Sequence, residues 1–341
     1  MRTSPFTLDP TARVLVVRLG SMGDIVHTLP AVYALRKRYP QAQIDWLVEA
    51  KWAVLVESAQ IASRVIPLQR DSWRDLRRVI RSLRKSNYDW AIDFQGLYKS
   101  AIATYLSGAR KRLGFEFPRE SGASLFYNET ANMLDRHVAH RNLCLANLLG
   151  ATDGLPEFPA FAASPAAEAY VFDAVRDAGL GRYYVLSPGG GWRSKCWPAE
   201  RYGELHQRLA AQHGLRAFIS YGPGEESLVE TVRAAAGNPA PIALPMNIPQ
   251  LIAALRGCQF FVGADTGPLH LAAALGCQTL ALFGPTDPKR NGPVGIHHQI
   301  LRNVGDESTT YKRGSEYSEA MRAITVEQVT QGVERLLAQS K

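Results

Sequence analysis

The sequence has 341 residues, more than one hydrophobic core usually supports, so we expect two domains. Hydrophobic residues make up 46% and charged residues 21%, as in ordinary soluble globular proteins, and no segment approaches the roughly 18 consecutive apolar residues that a membrane-spanning helix needs. Residues 1–12 have no apolar core of the kind found in secretory signals. We therefore expect a cytoplasmic protein with a short disordered lead-in.

Basic residues outnumber acidic ones by 39 to 31, which gives a formal net charge of +8. A charge of this sign suits an anionic partner, such as nucleic acid, phospholipid headgroups or a phosphorylated substrate. The cysteines are widely spaced and lack metal-ligand spacing, and a cytosolic protein keeps its thiols reduced. We expect free thiols at Cys144, Cys196, Cys258 and Cys277.

Strands and helices alternate along the first half of the chain. Each predicted strand is an apolar run that precedes a segment whose apolar residues have helical spacing. A helix near residues 136–149 closes this half, and the Pro-, Gly- and Ala-rich segment 151–167 is the candidate linker. The predicted strands cover residues 13–18, 44–49, 65–68 and 90–94.

The second half repeats this alternation, with predicted strands at residues 183–186, 217–221, 242–244, 259–263 and 279–283. The pattern predicts an α/β fold with two Rossmann-like domains, residues 1–155 and 156–341, each with a parallel sheet covered by helices. Ligands bind at the carboxyl ends of such strands, so we expect a cleft between the two domains. The last helix, near residues 325–340, could pack back on the first domain.

A dense cluster of basic residues lies within one predicted helix. Apolar residues recur there at helical spacing and predict an inner stripe of Trp73, Leu76, Ile80 and Leu83. A solvated helix face is one interpretation of the cluster, and an anion-binding face is the other. Its members are Arg70, Arg74, Arg77, Arg78, Arg81, Arg84 and Lys85.

The loop after the first strand, residues 20–28, places small residues before a helix N-terminus, where backbone can approach a ligand closely. Asp24 at that junction is favoured as a helix cap by its placement, and a carboxylate there could also serve as a general base. The loop lacks the Gly-x-Gly-x-x-Gly pattern of dinucleotide-binding domains, which disfavours a nucleotide-dependent oxidoreductase.

Three further loops follow strands of the second half. In residues 189–198, three glycines and Lys195 suit a diphosphate, with a solvated surface lysine as the alternative. In residues 221–226, a glutamate could accept hydrogen bonds from ribose or favour the helix N-terminus. In residues 263–270, Asp265 could bind sugar hydroxyls and the backbone at Thr266 and Gly267 could bind phosphate.

Taken in order, these segments resemble glycosyltransferase family 9, the bacterial lipopolysaccharide heptosyltransferases. The resemblance extends over nearly the whole chain, although Arg18 stands where some members have lysine, and Gly190 and Gly191 where at least one form has threonines. The segments that carry it are residues 21–24, 27–30, 45–49, 64–67, 88–89, 92–97, 99–100, 119–120 and 124–128, with Lys195, 197–198, Met246, 265–267, His270 and 284–288.

The resemblance implies a GT-B fold and an inverting transfer of heptose from ADP-L-glycero-D-manno-heptose to Kdo of the lipopolysaccharide inner core, with no cofactor and no required metal. By position, Asp24 matches the catalytic base. The implied donor-binding residues are Lys195, Glu226, Met246, Asp265, Thr266, Gly267 and His270. His270 taken alone is as readily a core histidine with satisfied hydrogen bonds.

We assign the acceptor, Kdo-lipid A, to the first domain, whose candidate contacts are Ser21, Met22, Gly23, Arg74, Arg77, Arg78, Lys99 and Arg119. The expected protein is a monomer, peripheral at the inner face of the inner membrane, without nucleic acid as a partner. The alternatives are another family 9 transferase, such as heptosyltransferase II, and a non-catalytic nucleotide-sugar-binding protein. Asp24 argues against the latter, because binding alone needs no base there.

Overall fold

The computed structural model describes residues 6–69, 71–132, 137–151 and 154–339. The chain divides into two compact units, Met1–Ala162 and Ala163–Lys341, and this boundary lies inside the segment 151–167 that the composition marks as a linker. Arg70 of the basic cluster and Arg136 at the start of the predicted closing helix lie outside the described residues.

In the described part of the first unit, six parallel strands form one sheet in the order β3-β2-β1-β4-β5-β6. The central strands are apolar and buried, as expected for a sheet covered on both faces. The strands are β1 Arg13–Val17, β2 Gln43–Glu49, β3 Arg64–Leu68, β4 Trp90–Asp93, β5 Lys111–Phe115 and β6 Glu129–Ala131. The helices are α1 Met22–Val26, α2 Leu29–Arg38, α3 Ala53–Ser58, α4 Trp73–Lys85, α5 Tyr98–Leu106 and α6 Val138–Asn147.

The described part of the second unit repeats the design, with six parallel strands in the order β12-β11-β10-β7-β8-β9. The strands are β7 Tyr183–Ser187, β8 Arg216–Tyr221, β9 Ile242–Pro245, β10 Phe261–Ala264, β11 Thr279–Leu282 and β12 His298–Leu301. The helices are α7 Pro165–Asp177, α8 Ala199–His213, α9 Glu226–Ala236, α10 Ile248–Gly257, α11 Gly267–Ala274, α12 Pro288–Asn291, α13 Glu319–Arg322 and α14 Val326–Gln339.

The sequence patterns missed three strands, β5, β6 and β12. Strand β5 (KRLGF) mixes charged residues with glycine, β6 has only three residues, and both β6 and β12 form sheet edges. Strands of this kind lack the continuous apolar run that identifies a central parallel strand. The fold class was nonetheless predicted correctly, because the buried central strands define it.

The N-terminal lead-in is ordered from residue 6, contrary to our expectation of disorder. Leu8 is buried, the Phe6 backbone N–H donates to the Leu148 carbonyl at 3.1 Å, and the Phe6 ring lies 5.4 Å from that of Trp90. This segment therefore extends the core of the first unit. Residues 1–5 lie outside the described part of the chain.

The last helix, α14, belongs to the second unit. Its buried face, which includes Val329 and Val333, joins the core cluster of that unit, and Gly332 lies close against Leu280 of β11. Trp197, completely buried in the same cluster, donates its indole N–H to the Ile324 carbonyl at 2.9 Å. The apolar stripe that allowed packing on the first domain is thus occupied by the second sheet.

Helix α4 differs from its predicted orientation. Its inner face consists of Val79 and Leu83 with the half-buried Leu76, whereas Trp73 is 77% exposed and does not belong to the apolar stripe. Ser72 caps the helix by accepting a hydrogen bond from the Asp75 N–H at 3.1 Å. The first residue of a helix has few helical neighbours to fix its direction, so periodicity alone misassigned Trp73.

Helices α8 and α9 pack so closely at Gly203 that a side chain there has no room. A Cβ at this position would lie 2.4 Å from the Val232 carbonyl oxygen and 2.6 Å from the Ala235 Cβ. We predict that Gly203→Ala lowers the free energy of unfolding by about 1–3 kcal/mol, although helix propensity alone would favour alanine by about 1 kcal/mol. Denaturant unfolding measures the change. Gly181→Ala, at a site with no neighbour within 4 Å, is the control and should be nearly neutral; equal effects at both positions would contradict the close packing.

Candidate active site

The loop after β1 brings Asp24 to the carboxyl edge of the first sheet. Asp24 is the third residue of α1, and its Oδ2 accepts hydrogen bonds from the Ser21 backbone N–H at 3.2 Å and the Ser21 hydroxyl at 3.1 Å. The N-cap residue of α1 is therefore Ser21, and Asp24 is its capping-box partner at the third helical position rather than the N-cap that its sequence position suggested. Its other oxygen, Oδ1, is engaged by two arginines.

Arg18 is the inner partner of Asp24. The Arg18 side chain is 1% exposed, its Nη2 lies 2.5 Å from Asp24 Oδ1, and its Nη1 donates to the Phe94 carbonyl at the end of β4. Arg119 is the outer partner, 38% exposed, with Nη2 at 2.8 Å from the same oxygen. Asp24 itself is 19% exposed, so it is reachable from solvent.

The electrostatic environment of this cluster keeps both Arg18 and Asp24 charged. Burial lowers the pKa of Arg18 to about 10, opposed by the attraction of Asp24. Burial alone would raise the pKa of Asp24, but Arg18 and then Arg119 outweigh it and hold that pKa well below its usual value. Asp24 is therefore an ionised carboxylate at physiological pH, which is the state that a general base requires.

A second carboxylate, Asp93, anchors the neighbouring loop. It is fully buried at the end of β4 and accepts hydrogen bonds from the Gln95 N–H at 2.7 Å, the Gly96 N–H at 3.2 Å and the Tyr127 hydroxyl at 2.7 Å. Burial raises its pKa, opposed mainly by the Tyr127 hydrogen bond. Sequence reasoning gave Asp93 no role, although an aspartate ending an apolar strand was a usable signal.

Gln95 links that loop to the loop that carries Asp24. Its side-chain oxygen accepts a hydrogen bond from the Leu19 backbone N–H at 2.9 Å. Arg18 and Gln95 thus join the carboxyl ends of the adjacent strands β1 and β4. The position of Asp24 is consequently fixed both by Ser21 of its own loop and, through Arg18, by the end of the neighbouring strand β4.

The structure distributes the predicted acceptor residues of the first unit unevenly. Arg119 contacts Asp24, whereas Lys99 lies 3.5 Å from Glu49 Oε1. Ser21 is exposed, but Met22 and Gly23 are buried within the unit. The side chain of Met22 is therefore not exposed for the ligand contact that we predicted.

The arginines of α4 are exposed, but two of them are engaged in hydrogen bonds. Arg84 donates to the Leu106 carbonyl, and Arg78 donates from both Nε and Nη2 to Oδ1 of Asp75, whereas Arg74 and Arg77 extend into solvent. Asp75 is buried and also accepts a hydrogen bond from the Gln69 N–H at 2.8 Å, so Arg78 contributes to local structure. Arg74 and Arg77 are the members of the predicted set that remain available to an anion.

In the second unit, β7 and β10 are adjacent, which brings together the loops that follow them. Lys195 Nζ lies 2.7 Å from Asp265 Oδ2, and His270 Nε2 lies 3.1 Å from Asp265 Oδ1. Asp265 and His270 are both 5% exposed. Burial would raise the pKa of Asp265, but the His270 hydrogen bond and the charge of Lys195 hold it well below its usual value.

Two of the three glycines in the Gly-rich loop lie close to other side chains, whereas Gly191 has no neighbour within 4 Å in the described part of the chain. A Cβ at Gly190 would lie 2.8 Å from Thr266 Cγ2, and one at Gly189 would lie 2.2 Å from the Glu225 carboxylate. The buried Thr266 hydroxyl has no hydrogen-bond partner within the described residues. Backbone N–H groups, the Thr266 hydroxyl and Lys195 are therefore the groups here that suit phosphate oxygens.

The remaining predicted donor residues occupy different environments. Glu226 is exposed at the start of α9, where its Oε1 accepts from the Gly224 N–H at 3.3 Å. The carboxylate of its neighbour Glu225 lies beside Gly189 of the Gly-rich loop and accepts a hydrogen bond from the Gly222 N–H at 2.7 Å. Met246 is half-buried against a small apolar cluster between α7 and α10. Sequence position alone could not distinguish the two adjacent glutamates.

Two features are absent from the described residues. No group of three or more histidine, cysteine, aspartate or glutamate side chains is placed to hold a metal ion. Likewise, none of the helices in the described ranges has the length and apolar character needed to cross a membrane.

Two Rossmann-like units, one with a solvent-reachable carboxylate and one with a Gly-rich phosphate-type loop, define the class of GT-B glycosyltransferases. The sequence profile of glycosyltransferase family 9 (heptosyltransferase) matches residues 76–321. The chain belongs to this family and is a glycosyltransferase.

Named relatives agree with this assignment. The chain is 33% identical over 310 residues to lipopolysaccharide heptosyltransferase 1 of Escherichia coli O18:K1:H7, covering 86% of this chain and 93% of the relative. The structure of E. coli heptosyltransferase WaaC with ADP is similar with a TM-score of 0.76 at 30% identity, covering 95% and 99% of the two chains. E. coli ADP-heptose lps heptosyltransferase II shares the fold, with a TM-score of 0.80 at 22% identity and coverage of 96% and 99%.

Because Asp24 pairs with the buried Arg18, we expect its substitution to change stability by more than the loss of helix capping alone. Asparagine can still cap α1, but Asp24→Asn removes the partner of a buried guanidinium, so we expect the free energy of unfolding to fall by about 3 kcal/mol. Because the folded pKa of Asp24 lies below that of an unfolded aspartate, the contribution of the pair is complete above about pH 4 and is lost as pH falls through the folded pKa.

Denaturant unfolding between pH 5 and 8 is the measurement. The difference in the free energy of unfolding between wild type and Asp24→Asn should stay constant over that range, because the whole range lies above about pH 4. Arg18→Lys keeps the charge and is the control, with a smaller loss expected. An Asp24→Asn variant as stable as wild type would mean that Arg18 does not depend on Asp24.

Proposed function

We propose that this chain transfers L-glycero-D-manno-heptose from ADP-heptose to Kdo of the lipopolysaccharide inner core, with Kdo-lipid A as acceptor. The observation that carries the proposal is the ionised, solvent-reachable carboxylate of Asp24 at the end of β1. It is supported by 33% identity to a lipopolysaccharide heptosyltransferase 1 over most of both chains. The family assignment, rather than Asp24 alone, argues against a non-catalytic nucleotide-sugar-binding protein, because Asp24 also neutralises the buried Arg18.

In the proposed reaction, Asp24 accepts the proton of the attacking Kdo hydroxyl. A bond forms between that oxygen and the anomeric carbon of heptose, while the bond from the anomeric carbon to the diphosphate breaks on the opposite face. The configuration therefore inverts, and the electron pair leaves with ADP. General-base assistance of this kind is typically worth about 100- to 10,000-fold in rate.

The low pKa of Asp24 in the free protein makes it a weak base until the acceptor arrives. Arg119 is the more exposed of its two cations, and Kdo carries a carboxylate that could draw this guanidinium away. Losing one positive neighbour raises the proton affinity of Asp24. We infer that an anionic acceptor thus activates the base that deprotonates it.

The second unit would hold the donor. Negative charge grows on the leaving diphosphate, and Lys195 with the N–H groups at Thr266 and Gly267 would stabilise it, without a required metal ion. In the ligand-free protein Lys195 is paired with Asp265, so the diphosphate would compete for this cation. Asp265, with His270 behind it, would then be free to accept hydrogen bonds from heptose hydroxyls.

The basic face of α4 and the predicted acceptor suggest where the protein works. Arg74 and Arg77 suit the phosphates of lipid A, and each basic residue near an anionic membrane surface is worth about 1 kcal/mol. We propose a cytoplasmic monomer that is peripheral at the inner face of the inner membrane. Heptosyltransferase II activity is the alternative within the family.

The decisive assay is ADP release from ADP-heptose, with Kdo-lipid A present or absent and with a chelator added in parallel. We expect acceptor-dependent ADP release that the chelator does not abolish. Asp24→Asn, compared per folded molecule, should lose about 100-fold or more of its turnover while ADP binding stays nearly unchanged. Arg18→Lys should retain most turnover. Turnover by the Asp24→Asn variant close to that of wild type would exclude Asp24 as the base.

Lys195→Ala should weaken ADP binding by about 10- to 100-fold, because it removes a charged hydrogen-bond donor from the diphosphate. Calorimetric titration with ADP measures the change. Lys289→Ala, which removes an exposed lysine paired with Asp306 elsewhere in the second unit, is the control and should bind ADP normally. Unchanged ADP affinity in Lys195→Ala would exclude this lysine from the phosphate site.

A further inference from the structure

The first unit exposes large apolar side chains along one face of α5. Tyr98, Ile102 and Tyr105 follow each other at helical spacing and are 48%, 40% and 53% exposed. Leu125, in the short 3₁₀ segment Ser121–Phe126 beside α5, is 86% exposed. We call these four residues the apolar ridge.

The ridge is a built surface rather than a set of loose side chains. The Tyr98 hydroxyl occupies the space beside Gly122, where a Cβ would lie 2.1 Å from it. The Tyr105 ring lies 5.9 Å from that of Phe126 in an edge-on arrangement. Beneath the ridge, Ala101, Ala123 and Tyr127 form a buried cluster that holds α5 against the 3₁₀ segment.

The cationic helix α4 lies directly beside the ridge. Helices α4 and α5 are in contact, and Arg84 of α4 donates from Nε to the Leu106 carbonyl of α5 at 3.1 Å. The exposed face of α4 carries Trp73 among its arginines. Its only acid, Asp75, is buried and paired with Arg78, and the sequence of α5 contains none.

The same surface leads to Asp24. Phe117, 69% exposed, stands two residues before Arg119, which contacts the Asp24 carboxylate. Glu120, next to Arg119, accepts a hydrogen bond from the Tyr98 N–H at 2.6 Å, so its charge is engaged at the start of α5. A ligand lying along the ridge would therefore have the base of the proposed reaction nearby.

We propose that the apolar ridge inserts into the headgroup region of an anionic phospholipid bilayer, with the arginines of α4 bound to lipid phosphates alongside. Tyrosine and tryptophan favour the membrane interface, where the ring is buried and its polar group stays hydrated. An apolar face next to a cationic face is the pattern of surfaces that lie in that interface. The inference extends the proposed function by naming the surface that would bring a lipid-linked acceptor to Asp24.

The test is co-sedimentation of the full chain with vesicles of phosphatidylethanolamine and phosphatidylglycerol, against vesicles of phosphatidylcholine. In the ridge variant, Ile102→Glu with Leu125→Glu, binding to the anionic vesicles should fall about tenfold or more. The control, Phe172→Glu with Ile296→Glu, changes two apolar residues of the second unit that are 65% and 87% exposed, and it adds the same charge. Equal losses in both variants, or no loss in the ridge variant, would overturn the proposal.

A second measurement needs no change to the ridge itself. Brominated lipid chains should quench part of the tryptophan emission of the wild-type protein on anionic vesicles, and Trp73→Phe should remove that part. Quenching that is the same in both proteins would place Trp73 away from the bilayer. A wild-type dimer that the ridge variant converts to a monomer would assign the ridge to a second copy of this chain instead.

Turnover separates this proposal from the proposed function. The ridge variant should match wild type on a deacylated, soluble acceptor but be slower on Kdo-lipid A in vesicles. If neither protein transfers heptose while vesicle binding still depends on the ridge, the ridge stands and the proposed function fails. If both proteins transfer heptose to the soluble and the vesicle-bound acceptor at equal rates, the proposed function stands and the ridge proposal fails.

Discussion

The arrangement of the first unit depends on one buried charge. The guanidinium of Arg18 is almost completely excluded from solvent at the carboxyl edge of the sheet, and a charge in that position is stable only with a partner. Asp24 supplies the opposite charge and the Phe94 carbonyl supplies a further acceptor. The need to satisfy Arg18 therefore holds the end of β4 and the first turn of α1 in place, and with them the carboxylate that the proposed reaction uses.

The second unit buries a negative charge instead, because the carboxylate of Asp265 is buried and is paired with Lys195 and His270. Here the partners differ in how they are held. His270 is buried on α11, whereas Lys195 reaches Asp265 from the loop after β7. An anionic ligand can attract the lysine without disturbing the histidine, so in the proposed function Asp265 would keep one partner when the diphosphate binds. Such an arrangement suits a site that is occupied and vacated in each catalytic cycle.

The first unit also separates its surfaces by chemistry. The arginines of α4 and the exposed apolar residues of α5 are neighbours, and the Arg119 segment connects them to Asp24. An acceptor with a phosphorylated, lipid-bearing end and a carboxylated sugar end would meet each of these surfaces with its matching part. In the proposed function, this distribution of charge and apolar area would be the physical reason for one unit to take the acceptor and the other the nucleotide.

The sequence by itself determined the α/β class and the central strands, because buried parallel strands are continuous apolar runs whatever their neighbours. Its motifs also placed Asp24 and Lys195 in segments that follow strands, and Asp265 at a strand end. Edge strands and the direction of Trp73 were decided only by tertiary structure, because each depends on which neighbours exclude water. The different hydrogen bonds of Glu225 and Glu226 are likewise visible only in the structure. The same holds for the Arg18–Asp24–Arg119 cluster: residue 119 lies 95 positions from residue 24, and only the folding of one sheet brings their charges within contact.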